Sequence, residues 1–198
     1  MKVLLHICCG ACAIEPFEKL SAQGHEVTGL FFNPNIHPLI EFRRRLKSVK
    51  VLQERLAMPV IFEEDYGLHV YLDAVDRHSP ARCEGCYRLR LGHTAWLAAE
   101  RGFGAFTTTL LSSTHQDHEL VRRIAEEAAE QSGVAFLYAD WRGLSERGHE
   151  RARAMRLYMQ GYCGCIFSEW ERFKDTSLHL YRGSGPLEEV DGRDEAQR

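Results

Sequence analysis

The sequence predicts an α/β fold built on a doubly wound, mostly parallel sheet of five strands. Short apolar runs alternate along the chain with segments whose apolar residues recur every three or four positions, which is typical of strands connected by helices. Strands joined in this way run parallel, because each crossover returns the chain to the same edge of the sheet. Ligands of such sheets bind at the carboxyl ends of the strands, so the chemistry is expected there.

The first part of the chain supplies three of the strands. They are predicted at KVLLHICC (2–9), EVTGLFF (26–32) and PVIFEED (59–65). Gly10 predicts a turn, and helices are predicted at 12–22 and 39–56, where apolar side chains share one face. Between them NPNIHP (33–38) carries two prolines and two asparagines, which prevent regular structure.

The remaining elements follow the same alternation. Residues 66–101 are predicted to be mostly helical, with a break at HSPARCEGC (78–86). Strands are predicted at GAFTTTLL (104–111) and VAFLYADW (134–141), with a helix at 118–131 between them. We expect a single domain at 1–181 and a disordered acidic tail at 182–198, because the tail lacks apolar periodicity.

Composition and charge exclude some classes of function. A net charge of −3 predicts no general affinity for polyanions, so any contact with nucleic acid must come from local patches. Two basic stretches, at 43–50 and 142–156, could contact phosphates or form a solvated face. No apolar run approaches the roughly 20 residues of a membrane span, and His6 interrupts the N-terminal run. We therefore expect a cytoplasmic protein without membrane association.

The seven cysteines fall into three tight groups rather than being scattered as packing residues would be. The groups are Cys8, Cys9 and Cys12; Cys83 and Cys86; and Cys163 and Cys165. In a reducing compartment, clustered thiols indicate metal binding or redox chemistry. The first group lies where a strand meets a helix, and the free amides of a helix N-terminus favour the thiolate form that binds metals.

The spacing within the other two groups leaves several chemistries open. The CxxC of Cys83 and Cys86 suits a zinc ion or part of an iron-sulfur cluster. The CxC of Cys163 and Cys165 could bind metal or close into a strained, easily reduced disulfide. Seven thiols exceed the four of a structural zinc site, which favours a four-cysteine cluster with three thiols for a second metal or a redox pair. Structural zinc remains the alternative.

Polar residues after the second and fourth predicted strands are further candidates. His37 and His115 could act as ligands or proton donors, or could simply be solvated. Gln116 and Asp117 could bind substrate, or could cap the following helix.

Together these motifs resemble one family, the QueH-type epoxyqueuosine reductases. The resemblance rests on LLHICCGAC (4–12), FFNPNIHP (31–38), RCEGCYRLRLGHTA (82–95), FTTTLLSSTHQD (106–117) and YCGCIFS (162–168). It implies reduction of the epoxide of epoxyqueuosine at the wobble position of tRNA. It also implies a Rossmann-like fold related to adenine nucleotide alpha-hydrolase (PP-loop) proteins, with extra C-terminal helices. The chain departs from the family pattern at Ala11, Thr114 and Met159.

The resemblance further implies cofactors, partners and roles for residues. A 4Fe-4S cluster would be held by Cys8, Cys9, Cys83 and Cys86. An adjacent mononuclear iron, which zinc can replace, would be held by Cys12 with Cys163 and Cys165, unless the last two form a redox-active pair. His115 or Asp117, on the loop after the fourth predicted strand, is the expected proton donor, and His37 is the second choice. The expected substrate-binding residues are Asn33, Asn35, His37, Tyr87, Gln116 and Tyr162.

The expected partners are a tRNA with a queuosine-type anticodon and an electron donor that the sequence does not name. The protein is expected to be a monomer. Two other functions are considered. A zinc-stabilised RNA-binding module would need no iron, and an ATP-dependent PP-loop enzyme would need a phosphate loop of the SGGxDS type, which CCGAC (8–12) does not supply.

Overall fold

The computed structural model describes residues 1–76, 78–79 and 81–176. In this part of the chain five strands form one parallel sheet in the order β3-β2-β1-β4-β5. They are β1 (Lys2–His6), β2 (Glu26–Phe31), β3 (Val60–Phe62), β4 (Ala105–Thr108) and β5 (Ala135–Phe136). The predicted parallel α/β sheet is confirmed. The chain leaves β1 in one direction and later returns to its other side, so the strand order reverses between β1 and β4.

Seven α-helices connect and cover these strands in the described residues. They are α1 (Gly10–Ala22), α2 (Leu39–Leu56), α3 (Leu68–Ala74), α4 (Arg82–Glu100), α5 (His118–Ser132), α6 (Ser145–Ala154) and α7 (Ile166–Phe173). α1 packs against α2 and α6, whereas α4 packs against α5. Right-handed crossovers place these two layers on opposite faces of the sheet, which is the doubly wound arrangement. α6 and α7 are the predicted additional C-terminal helices.

The first strand and helix meet at a sharper junction than predicted. β1 ends at His6 rather than at residue 9, and Gly10 begins α1 instead of forming a turn. The two helices α1 and α2 approach closely here, because a Cβ on Gly10 would lie 2.7 Å from Ser48 Oγ. Only glycine fits this position without displacement of α2.

The fourth and fifth strands are shorter than the apolar runs that predicted them. β4 ends at Thr108, whose side chain accepts a hydrogen bond from the Leu110 amide and starts a 3-10 turn at Thr109–Ser112. β5 contains only Ala135–Phe136 of the predicted 134–141. The polar segment after β4 therefore begins three residues earlier than expected and lies closer to the edge of the sheet.

The break predicted at 78–86 is also shorter, since α4 begins at Arg82. Cys83 and Cys86 consequently lie in its first turn, where residues three apart share a helix face. The predicted domain boundary at 181 and the tail at 182–198 lie outside the described residues.

The core is formed by the central strands and the helix faces that cover them. Leu4, Leu5, Leu30 and Phe106 are fully buried in neighbouring strands. Every helix among the described residues is too short or too polar to cross a lipid bilayer.

Candidate metal and thiol site

The first thiol group lies at the junction of β1 and α1. Cys9 is the extended residue that precedes α1, and Cys12 lies in the first turn of that helix. The sulfur atoms of Cys8, Cys9 and Cys12 all lie within 4.8 Å of one another. Three soft ligands at this separation can hold a metal ion.

Residues from distant elements contact these thiols. The Thr109 hydroxyl donates to Cys8 Sγ at 3.3 Å and accepts from the Cys8 amide at 3.1 Å. Gln160 Nε2 donates to Cys9 Sγ at 3.0 Å and approaches Cys12 Sγ at 3.7 Å. These contacts fix the positions of the sulfur atoms and favour the thiolate form.

Hydrogen bonds among the three thiols shift their pKa values in opposite directions. Hydrogen bonds with Cys12 and then Cys9 hold the pKa of Cys8 well below its usual value, against the effect of burial. The hydrogen bond with Cys8 raises the pKa of Cys12 well above its usual value. Of the three thiols, Cys8 is therefore the one whose ionisation this arrangement favours, and its neighbours are the donors that would stabilise the thiolate. Metal binding would have to displace the remaining protons.

The second thiol group joins α4 to the segment before α7. Cys86 and Cys165 are buried in one small apolar cluster with Tyr71 and Val75, and burial raises the pKa of Cys86 to about 12. Cys83 is exposed and lies within electrostatic range of Cys163 and Cys165. All seven cysteines of the protein are free thiols in this structure.

Arg90, on α4, lies between the two thiol groups. Its side chain is 1% exposed and donates to Asn33 Oδ1 at 3.0 Å. Burial by itself lowers the pKa of the Arg90 guanidinium. The electrostatic attraction of Cys86 and Cys8 is larger than this effect, so the pKa of Arg90 is raised. A permanent cation is thus buried where negative sulfur would accumulate.

Arg45, on α2, is a second fully buried cation. Its Nε pairs with Glu41 at 2.7 Å, and its other nitrogens donate to the carbonyls of Cys163 and Tyr162, each at 2.9 Å. Gly164 packs directly on the guanidinium, since a Cβ there would lie 3.1 Å from an Arg45 nitrogen, and its φ of +125° favours glycine. Arg45 therefore positions the YCGC segment.

The segment after β2 lies beside this site with its polar side chains buried. Asn33 Nδ2 donates to the Ile7 carbonyl at 2.8 Å, which connects the segment to the end of β1. His37 Nδ1 bonds Tyr66 Oη at 2.9 Å, and its Nε2 has no hydrogen-bond partner among the described residues. Both side-chain polar atoms of Asn35 likewise have no such partner. Burial lowers the pKa of His37 to about 4, so its imidazole is neutral at pH 7.

The loop after β4 reaches the second thiol group through Gln116. Gln116 Oε1 accepts from the Tyr87 hydroxyl at 2.6 Å, and its Nε2 donates to Cys163 Sγ at 3.4 Å. His115 is exposed, and Asp117 caps α5 by accepting from the Leu120 amide at 3.0 Å. The capping alternative for Asp117 is therefore observed.

The structure brings the three cysteine groups to one edge of the sheet and divides them differently from the ligand sets that the resemblance implies. Cys12 lies with Cys8 and Cys9, whereas Cys163 and Cys165 lie with Cys83 and Cys86. The ligand assignments themselves remain predictions. Tyr162 donates its hydroxyl to the His37 carbonyl, and its ring lies beside Arg45.

Three residues that contact or neighbour the thiol segments were not predicted from the sequence: Arg45, Arg90 and Gln160. Arg45 lies on the apolar face of α2 with Phe42, Val49 and Leu52, and an arginine in such a stripe was a usable signal. Gln160 lies in an irregular segment and carried no signal.

The comparisons with known proteins agree with this architecture. The model of the family described as "Epoxyqueuosine reductase QueH" matches residues 3–171. The protein of that name from Dehalococcoides mccartyi is 38% identical over 172 residues, which cover 87% of this chain and 94% of the relative. The corresponding protein from Histophilus somni is 34% identical, and the match covers 84% of this chain and 72% of the relative. The one from Thermotoga maritima is 30% identical, covering 93% and 98%.

The fold and the site define an α/β protein with a cysteine triad that can hold a metal ion at the carboxyl edge of a parallel sheet. The chain belongs to the epoxyqueuosine reductase QueH family, and it is an oxidoreductase.

Proposed function

We propose that this protein reduces the epoxide of epoxyqueuosine at the wobble position of tRNA to the alkene of queuosine. Membership of the family supports the reaction, because its curated relatives carry that name. The observation that carries the proposal is the meeting of all three cysteine groups around Arg90, which interacts electrostatically with Cys8, Cys86 and Cys163. Such a meeting of soft ligands suits iron and electron transfer.

The triad has the geometry of a mononuclear site. Two thiolates about 2.3 Å from one ion at the tetrahedral angle stand about 3.8 Å apart. The observed distance between the sulfur atoms of Cys8 and Cys9 is 3.9 Å. Cys8, Cys9 and Cys12 would supply three of the four ligands that such an ion takes, which would leave it able to bind substrate. We therefore assign Cys8, Cys9 and Cys12 to the single iron, whose place zinc can take.

The second group supplies the four thiols that a 4Fe-4S cluster needs. A 4Fe-4S cluster is larger than a single ion, so the sulfur atoms that hold it would stand further apart than those around one ion. This assignment gives Cys83, Cys86, Cys163 and Cys165 to the cluster. It differs from the partition implied by the resemblance, in which Cys8 and Cys9 are cluster ligands.

When bound, the iron centres would supply single electrons and would polarise the epoxide C–O bond. The reaction adds two electrons and two protons, and the epoxide oxygen leaves as water. The chain's part is to hold charge and deliver protons. Arg90 and Arg45 offset the negative charge of the thiolates, and both are buried and held by fixed partners.

Three side chains are candidates for proton delivery. His115 and Asp117 lie on the loop that contacts Cys163 through Gln116, and both are exposed to solvent that can reprotonate them. His37 is neutral at pH 7 and offers Nε2 as a hydrogen-bonding atom with no partner in the described chain. Tyr87 and Tyr162 offer rings on which the extruded base can stack.

A direct assay tests the reaction. Protein purified without oxygen is analysed for iron, sulfide and zinc, then incubated with a reductant and tRNA containing epoxyqueuosine. The digested nucleosides are identified by mass. We expect iron in excess of zinc and loss of one oxygen from the modified nucleoside. Colourless protein with one zinc and no conversion would instead support a zinc-stabilised RNA-binding module.

The role of Asp117 is separated from its capping role by two variants. Asp117→Asn keeps a good helix cap, whereas Asp117→Ala loses about 1 kcal/mol of stability through loss of the cap. If Asp117 donates a proton, Asp117→Asn loses turnover at unchanged stability. Full activity of Asp117→Asn would leave His115 as the candidate on this loop.

A further inference from the structure

The two basic stretches of the sequence meet at one pocket beside the thiol site. The pocket has a volume of about 190 Å³. Its lining residues are Arg44, Lys47, Ser48 and Val51 from α2, and Arg156, Leu157 and Tyr158 from the segment after α6. A space of this size can admit a group as small as a phosphate.

The charge in this pocket has one sign. Arg44, Lys47 and Arg156 line it without any acidic residue among the lining positions. None of the three forms a salt bridge with a carboxylate in the described part of the chain. Arg44 instead lies over the Tyr158 ring at 5.7 Å. Three cations held this close without an anion favour an anionic ligand.

The acid on the neighbouring turn of α2 does not compensate these cations. Glu41 is buried, and its two carboxylate oxygens accept hydrogen bonds from Arg45 and from the Tyr158 hydroxyl. Its charge is therefore directed to the fully buried Arg45 rather than to Arg44 or Lys47.

The three cations are exposed, so a ligand from solvent can reach them. Ser48, by contrast, is buried against α1, because a Cβ on Gly10 would lie 2.7 Å from its Oγ.

We propose that this pocket binds a backbone phosphate of the tRNA substrate. The inference rests on the proposed function and adds a place where the tRNA is gripped. The segment that supplies Arg156 and Tyr158 continues to Gln160, which contacts Cys9, and to Cys163. A phosphate held here is thus connected by a few residues to both thiol groups. Phosphate contacts of this kind position a nucleic acid without reading its sequence.

The test measures tRNA binding by the metal-loaded protein as a function of salt concentration. The variant combines Lys47→Gln with Arg156→Gln. Arg156 has a φ of +50°, and a glutamine there adopts this left-handed conformation at the same energetic cost as the arginine. The matched control is Arg43→Gln with Arg153→Gln, which removes two exposed positive charges from α2 and α6 outside the pocket lining.

For the pocket variant we expect roughly tenfold weaker tRNA binding and a salt dependence reduced by about one ion, because one phosphate contact is lost. The control should retain most of the affinity. Equal losses in both variants, or none in the pocket variant, would overturn the inference. Inorganic phosphate distinguishes a free-anion site: saturation of the pocket at micromolar phosphate, without competition with tRNA, would also overturn it.

The outcome is separable from that of the proposed function. If the wild-type protein converts epoxyqueuosine while the pocket variant binds tRNA normally, only the phosphate assignment fails. If tRNA binds through the pocket but no oxygen is lost from the nucleoside, the reaction fails and the pocket assignment stands.

Discussion

Arg45 and Cys163 are 118 positions apart in the sequence, yet a guanidinium nitrogen of Arg45 donates to the Cys163 carbonyl at 2.9 Å. A second nitrogen donates to the Tyr162 carbonyl at the same distance. The position of one thiol group on the rim of the sheet thus depends on a single cation buried in α2.

Loss of that cation should destabilise the protein strongly. Arg45→Met leaves the Glu41 carboxylate buried without its cationic partner, and removal of one partner of a buried pair costs about 3–5 kcal/mol. We expect that decrease in the free energy of unfolding in urea. Arg43→Met, on the exposed face of the same helix, is the control and should change it little. Equal effects of the two variants would show that Arg45 has no special structural role.

Gln160 should tune the metal affinity of the triad. Gln160→Leu removes the donor to Cys9 and Cys12 at similar side-chain volume, and loss of such outer contacts typically weakens metal binding about 10–100-fold. Competition with a chelator, followed spectroscopically, measures the change. Gln131→Leu, at an exposed position of α5, is the control. Unchanged chelator competition in Gln160→Leu would contradict the assigned role.

The two groups of thiols predict different losses in single variants. Cys8→Ser should retain the cluster absorbance and lose one equivalent of iron or zinc, because we assign it to the triad. Cys83→Ser and Cys163→Ser should both lose the cluster. Metal and sulfide analysis with absorption spectra of the three proteins decides this. Loss of the cluster in Cys8→Ser, with retention in Cys163→Ser, would support the partition implied by the resemblance.

His37 should make stability depend on pH. Its pKa is lowered from 6.5 to about 4 in the folded protein, so the unfolded chain binds more protons between these values. The stability that neutral His37 contributes is complete above pH 6.5 and is lost as the pH falls towards 4. His37 alone should contribute up to about 1.4 kcal/mol per pH unit to the slope, in addition to buried His6, whose pKa is lowered to about 3.

Urea unfolding of the wild type and of His37→Gln at several pH values in this window checks the prediction. In His37→Gln the free energy of unfolding should depend less steeply on pH, by the equivalent of up to one bound proton. His69→Gln, at an exposed position of α3, is the control. A wild-type slope in His37→Gln would show that another group is responsible.

The order of strands and helices could be predicted because periodicity is a local property of the chain. α2 has the bounds that its apolar spacing indicated, at 39–56. Element ends were less predictable, since they depend on contacts. The side chain of Thr108 accepts from the Leu110 amide where β4 ends, and Gly10, the first residue of α1, packs closely on Ser48.

The sequence by itself determined that the fold is a parallel α/β sheet and that Cys8, Cys9 and Cys12 lie where a strand meets a helix, because both follow from residue types at short spacing. The tertiary structure alone decided that Cys163 and Cys165 join Cys83 and Cys86, that Arg45 and Arg90 are buried beside the thiols, and that 43–50 and 142–156 share a pocket. The physical reason is that these relationships depend on how helices about a hundred residues apart in the chain pack against one sheet.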